Sequence, residues 1–152
     1  MDTKLVSTAK LSGGTSLEEV ESKGKILNAT QHQATPEQLA EGIVDLPSEV
    51  RSELGKLLTF EDLPTPTDLR VRSIQVTGLL LAQGAKPGDR VMIGGAPFFM
   101  EELADTLRRS GLKPCYAFSR RESVDQPQSD GSVRKVAVFR HVGLIEAHAP
   151  QP

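Results

Sequence analysis

Cysteine, aromatic residues and long apolar runs are all scarce in this chain of 152 residues, and each shortage excludes a class of protein. With one cysteine, Cys115, no internal disulfide can form and a four-cysteine zinc site is ruled out. No run approaches the ~18 apolar residues of a membrane span. The longest, Gly78 to Ala82, is one side of a helix, so no membrane partner is expected. The N-terminus shows no basic segment leading into an apolar one, so a secretory signal is not expected and a cytoplasmic location is. Trp is absent and aromatics make up 4%, which weakens the case for an aromatic-anchored interface. A net charge of −2 argues against bulk binding of duplex DNA.

What is present fits one globular core: 38% hydrophobic residues in a length typical of a single domain. The charge is unevenly spread. Between Glu37 and Asp68 eight acids face only Arg51 and Lys56, a stretch that repels anions. From Arg108 to His141 eight bases face Glu122, Asp125 and Asp130, and an anionic ligand would look for this half.

Residues 1–24 carry no sustained period and read as a flexible tail, and 148–152 as a disordered end. Between them, 25–147 reads as a single Rossmann-like α/β domain. Lys25 to Thr30 predicts a strand, and Thr35-Pro36-Glu37-Gln38 a capped helix start. A brief strand at Ile43 to Leu46 follows, then a helix capped by Ser48 and running to Leu58. A second Thr-Pro start at Thr65 opens a longer helix to about Gln83, with Leu69, Ile74, Leu80 and Leu81 among its apolar positions. Arg90 to Ile93 is a strand, Pro97 to Gly111 a helix carrying Phe98, Leu103 and Leu107, and Lys113 to Phe118 another strand. From Arg120 the period becomes alternating, with Gln126 to Ser132 as the turn of a terminal hairpin. Strands alternating with helices imply a three-layer fold with a mostly parallel sheet, finished by a C-terminal antiparallel hairpin.

In such a sheet, ligands bind at the carboxyl ends of the strands. That rule selects Thr30, Gln31 and His32, then Gly94, Gly95 and Ala96, then Ser119, Arg120 and Arg121. Gly94-Gly95-Ala96-Pro97 allows backbone N–H groups to approach an anion at a helix start, but a tight turn without ligand explains the same glycines. It completes neither a Walker loop nor a dinucleotide fingerprint. Arg120 and Arg121 point to opposite faces of an extended segment, so one is expected to hold phosphate while the other pairs with Glu122. His32 is the candidate proton-transfer residue, with His141 as a second ligand-side histidine for metal-free phosphodiester cleavage. Cys115 lies in an apolar strand, a poor setting for a nucleophile. No cofactor and no dedicated metal site are expected.

ILNATQHQATPEQ, MIGGAPFFM, YAFSRRES and DGSVRKVAVFRHVG are similar to segments of a family of small uncharacterised bacterial and mobile-element proteins, over residues 25–147. More loosely, a strand followed by a histidine and Thr-Pro-Glu-Gln resembles the opening of small stand-alone CRISPR-associated Rossmann-like (CARF-like) proteins. That resemblance implies a homodimer binding a cyclic oligonucleotide, some members also cleaving it as ring nucleases do, with His32, Gly94 to Ala96 and Ser119 to Arg121 facing the ligand. The expectation is therefore a nucleotide- or cyclic-oligonucleotide-binding domain, phosphate-binding, with metal-independent phosphodiesterase activity left open. The competing expectation is a non-enzymatic protein-interaction or regulatory module of a mobile element. An RNA-processing nuclease would need a longer basic groove than this sequence advertises.

Overall fold

The computed structural model describes residues 25–148, so the tail expected at 1–24 lies outside the described residues, as does the expected end beyond His148. The chain runs β1 (Ile26–Ala29), α1 (Pro36–Glu41), β2 (Ile43–Asp45), α2 (Ser48–Leu58), α3 (Pro66–Ala82), β3 (Arg90–Ile93), α4 (Pro97–Arg109), β4 (Lys113–Pro127) and β5 (Val133–Glu146). Both Thr-Pro helix starts close reciprocal capping boxes. The Thr35 hydroxyl accepts from Gln38 N while Gln38 Oε1 accepts from Thr35 N, and Thr65 and Asp68 do the same for α3. Gly42 ends α1 at φ +104°, a conformation that favours glycine.

The five strands form one sheet in the order β2-β1-β3-β4-β5. The first four are mutually parallel and β5 is antiparallel to β4, which makes this an α/β fold with a mostly parallel sheet and a C-terminal hairpin. Strand alternation divides the core. Leu27, Ala29, Val91 and Ile93 face α2, α3 and α4 and pack against Leu54, Leu58, Val76, Leu80, Phe99, Leu103 and Leu107. Each such buried side chain contributes about 1.5–3 kcal/mol, so this layer dominates stability. Ile26, Ile43 and Met92 occupy the other face with Ala34 and Leu144, and α1 lies over it and meets β5.

Four details differ from the sequence expectation. Ser48 begins α2 rather than capping it; Pro47 holds the cap position with no side-chain bond. In α3 the buried stripe is Ser73, Val76, Thr77 and Leu80, leaving Ile74 and Leu81 exposed, because the Ser73 and Thr77 hydroxyls bond helix carbonyls and so pack as small residues. In α4 the buried ring is Phe99, and Phe98 is exposed. Finally, β4 does not end at Phe118 but continues to Pro127, with a bulge between Phe118 and Ser119. The hairpin expected from Arg120 is present, but its first arm is the same strand as Lys113–Phe118: a two-stranded ribbon is wet on both faces and needs no apolar side chains, so the polar residues at Ser119 hid that continuity. Beyond Ala117 the ribbon reaches roughly 34 Å at about 3.4 Å per residue.

Candidate functional site

The strand order places a topological switch point between β1 and β3, because the chain leaves β1 toward β2 on one side and returns to β3 on the other. A crevice of about 370 Å³ opens there, at the carboxyl ends of β1, β3 and the parallel part of β4. Its lining includes Thr30, Gln31, His32, Gly94 and Gly95, five of the residues expected at strand exits, joined by Thr35, Gln38, Tyr116 and Ala117. Ala96 sits beside the crevice at the α4 N-cap position. Apart from His32, no lining side chain is ionisable at neutral pH.

The β1 exit is held by Asn28, a residue the sequence reading passed over as one polar member of an apolar strand. Its side chain is 3% exposed and makes four hydrogen bonds. Nδ2 donates to His32 O at 2.7 Å and to Asp45 Oδ1 at 2.8 Å, while Oδ1 accepts from Thr30 N at 3.0 Å and Thr30 Oγ1 at 2.7 Å. Asp45 Oδ1 also accepts from Ala34 N at 3.0 Å. The signal was available: Asn28 and Asp45 are polar residues in register on adjacent short strands. This network bends the chain sharply from β1 and aims His32 outward, where no hydrogen-bond partner to its ring is found among the described residues. Gln31 is committed elsewhere, its amide donating to Thr59 Oγ1 at 2.9 Å.

Gly94 lies close to this turn; a Cβ there would stand 3.4 Å from Thr30 Cγ2. A Cβ at Gly95 would stand 3.3 Å from Met100 Cε, the movable end of a flexible side chain, so packing alone does not require that glycine. The pair leads directly into α4, where Pro97 has no N–H and the Phe99 and Met100 amides donate to Ala96 O, which leaves the Phe98 N–H of the first turn for a ligand.

The remaining candidates are displaced from the crevice. Because β4 continues, Ser119, Arg120 and Arg121 are not a strand exit but lie on the ribbon, with Arg121 roughly 14 Å past Ala117. Glu122 pairs with Arg140 at 2.7 Å, not with Arg120 or Arg121. The register pairs Ser119 with His141 and Arg121 with Phe139, so Arg121 shares the face of His141 and Arg120 the opposite one. The His141 side chain is itself nearly buried, 3% exposed, with Nε2 2.6 Å from Glu41 Oε1 and Nδ1 3.4 Å from Gln38 Nε2. It therefore stands behind Gln38, one side chain removed from the crevice, and clips the ribbon to α1. Arg121 points to the α1 side.

Cys115 is buried, and that burial pushes its thiol pKa up, away from thiolate character. A larger cavity of about 650 Å³ lies between α2 and α3, but Glu61, Asp62 and Asp68 line it. Its Arg72 is already occupied: it stacks on Phe60 at 4.2 Å and donates to Thr59 O at 2.6 Å. The cavity's other cation, Lys56, stands 3.8 Å from Glu53 Oε1, so three carboxylates outweigh one exposed ammonium and the site disfavours an anion.

A model of the uncharacterized protein MJ1673 family matches residues 24–145, and the chain belongs to that family. No curated protein and no solved structure matches it.

Proposed function

We propose that this member of the MJ1673 family binds a phosphate-bearing nucleotide, with a cyclic oligonucleotide as the leading candidate, in the crevice at the β1/β3 switch point. The observation that carries the reading is the convergence of Thr30, His32, Gly94 and Gly95 in the cleft at the topological switch point. Backbone N–H groups of the Gly94–Ala96 turn and of Phe98 offer donors to phosphate. Arg121, on the α1 side of the ribbon, supplies the cation that the crevice lacks. The active form is a homodimer, which suits a ligand with repeated units.

Cleavage without metal is a further part of the proposal. The 2′ hydroxyl of the ligand attacks the adjacent phosphorus and the bond to the 5′ oxygen breaks. Protonated His32 gives its proton to the departing 5′ oxygen, and the 2′ proton passes to solvent.

The test is calorimetry with mononucleotides and cyclic oligonucleotides on the wild type, Arg120→Ala and Arg121→Ala. Loss of a charge-assisted bond predicts a roughly 10- to 150-fold weaker affinity for Arg121→Ala, with a much smaller change for Arg120→Ala. Equal affinities in all three, or no binding across the panel, would sink the reading. A protein-partner role is favoured by one observation, the exposure of Phe139, Val142 and Ile145 on β5. Stoichiometric capture of one protein, insensitive to the arginine changes, would support it.

A further inference from the structure

The turn at Gly94–Gly95 separates two cavities rather than closing one. On the α1 side lies the crevice already described. On the α4 side lies a second groove of about 600 Å³, lined by Gly95, Pro97, Met100, Ala104, Arg108 and Tyr116 among others. Gly95 and Tyr116 line both, so a single ligand can cross from one to the other without leaving the protein surface. The two halves differ in chemistry. The crevice carries more polar side chains, Thr30, Gln31, His32, Thr35 and Gln38 among them, and offers backbone donors; the second groove is the more apolar, with Glu101, Arg108 and His148 as its polar groups, the composition of a small-molecule pocket of about 300–1,000 Å³.

We propose that this second groove is the base subsite of the same ligand: a nucleobase lies against the Tyr116 ring and Met100, while its phosphate sits across Gly95 in the crevice. The inference rests on the nucleotide reading above. Burial pushes the Tyr116 phenol up from its ordinary pKa, against the opposing pull of Arg108, so the ring is neutral and its hydroxyl is available to donate. Arg108 is fixed by donating to Ala147 O at 3.0 Å, which leaves other guanidinium N–H groups for ring or carbonyl acceptors of a base. Glu101, on the first turns of α4, adds an acceptor for exocyclic amino groups. Of these features an inorganic anion can use only the Arg108 guanidinium. A flat heterocycle uses all of them.

The chain contains its own probe. It has one tyrosine and no tryptophan, so its intrinsic emission reports Tyr116 alone. The full chain is titrated with adenosine monophosphate, a cyclic oligoadenylate, adenosine and inorganic phosphate, with emission corrected for absorbance and binding followed in parallel by calorimetry. Quenching by the base-bearing probes, and none by inorganic phosphate, supports the subsite. Tyr116→Leu, which keeps an apolar side chain of moderate size, is then expected to weaken the base-bearing probes roughly 5- to 150-fold. Its affinity for inorganic phosphate should change less than twofold. If calorimetry shows a nucleotide bound while Tyr116 emission and the Tyr116→Leu affinity are unchanged, the base lies elsewhere; the subsite is then wrong and the crevice reading survives. Absence of binding by every probe overturns both.

Discussion

Replacing Asn28 by alanine should destabilise the protein far more than an average substitution, because the side chain uses all of its hydrogen-bonding capacity inside the fold. Two donors and two acceptor positions are engaged, one of them with the carboxylate of Asp45. A neutral bond contributes about 0.5–1.5 kcal/mol net and a charge-assisted one about 1.5–3, but the four share one side chain and do not add. We expect a loss of about 3 kcal/mol. For a domain of this length that corresponds to a fall in Tm of about 6–12 °C. Urea unfolding at neutral pH reads the change, with m unaltered if only the native state is affected. The direction of the bonds supplies a sharper control. Asn28→Asp keeps the shape but sets a carboxylate against Asp45 at 2.8 Å, and adding Asp45→Asn restores a donor to that contact. The double variant should regain about 1 kcal/mol over Asn28→Asp alone, although the bond to His32 O stays lost and the Ala34 N–H loses the Oδ1 it shares with Asn28. A loss below about 1 kcal/mol for Asn28→Ala, or no recovery in the double variant, would refute the idea that Asn28 organises the β1 exit.

Two further perturbations test other parts of the architecture. His141→Ala strips partners from Glu41 and Gln38 in a nearly buried setting and should cost about 2 kcal/mol, with faster amide exchange from Ser119 onward; an unchanged exchange pattern would show that the ribbon is held by other contacts. The Thr65 amide, then its hydroxyl, then the Arg72 charge hold the Asp68 carboxyl below the ordinary aspartate range. Its contribution is therefore present above about pH 4 and lost as pH falls through the lowered value. Between about pH 5 and pH 2 the Tm of Asp68→Asn should fall less than that of the wild type, and parallel acid limbs in a thermal melt would refute this.

Local rules sufficed wherever the chain makes its own punctuation. Thr35-Pro36-x-Gln38 and Thr65-Pro66-x-Asp68 each carry both halves of a capping box, and both helices begin where the sequence says they must. The Arg90–Ile93 strand ends at two glycines, and the crevice opens there. Misreadings arose where the deciding contact is remote. Nothing local tells Phe98 from Phe99, since what selects Phe99 is the sheet packed beneath α4. Nor do the polar residues at Ser119 show that the strand ending at Phe118 and the hairpin arm from Arg120 are one continuous β4. Asn28 was legible in principle but only jointly with Asp45, seventeen positions away.

The misreading at Ser119 changes what the site requires. Had β4 ended there, Arg120 and Arg121 would have stood at the crevice as part of a rigid sheet edge. Instead the crevice lining holds no arginine or lysine: Arg108 lines the adjoining groove, and Arg120 and Arg121 ride on a two-stranded ribbon, a structure that is marginal without other support. The support visible in the fold is the His141–Glu41 contact, which ties the ribbon to α1, and Gln38 of that helix also lines the crevice. Ribbon orientation and crevice shape are thus set by one cluster. In the proposed function, a substitution that frees the ribbon acts on phosphate affinity much as removal of Arg121 does, although His141 itself never reaches the ligand.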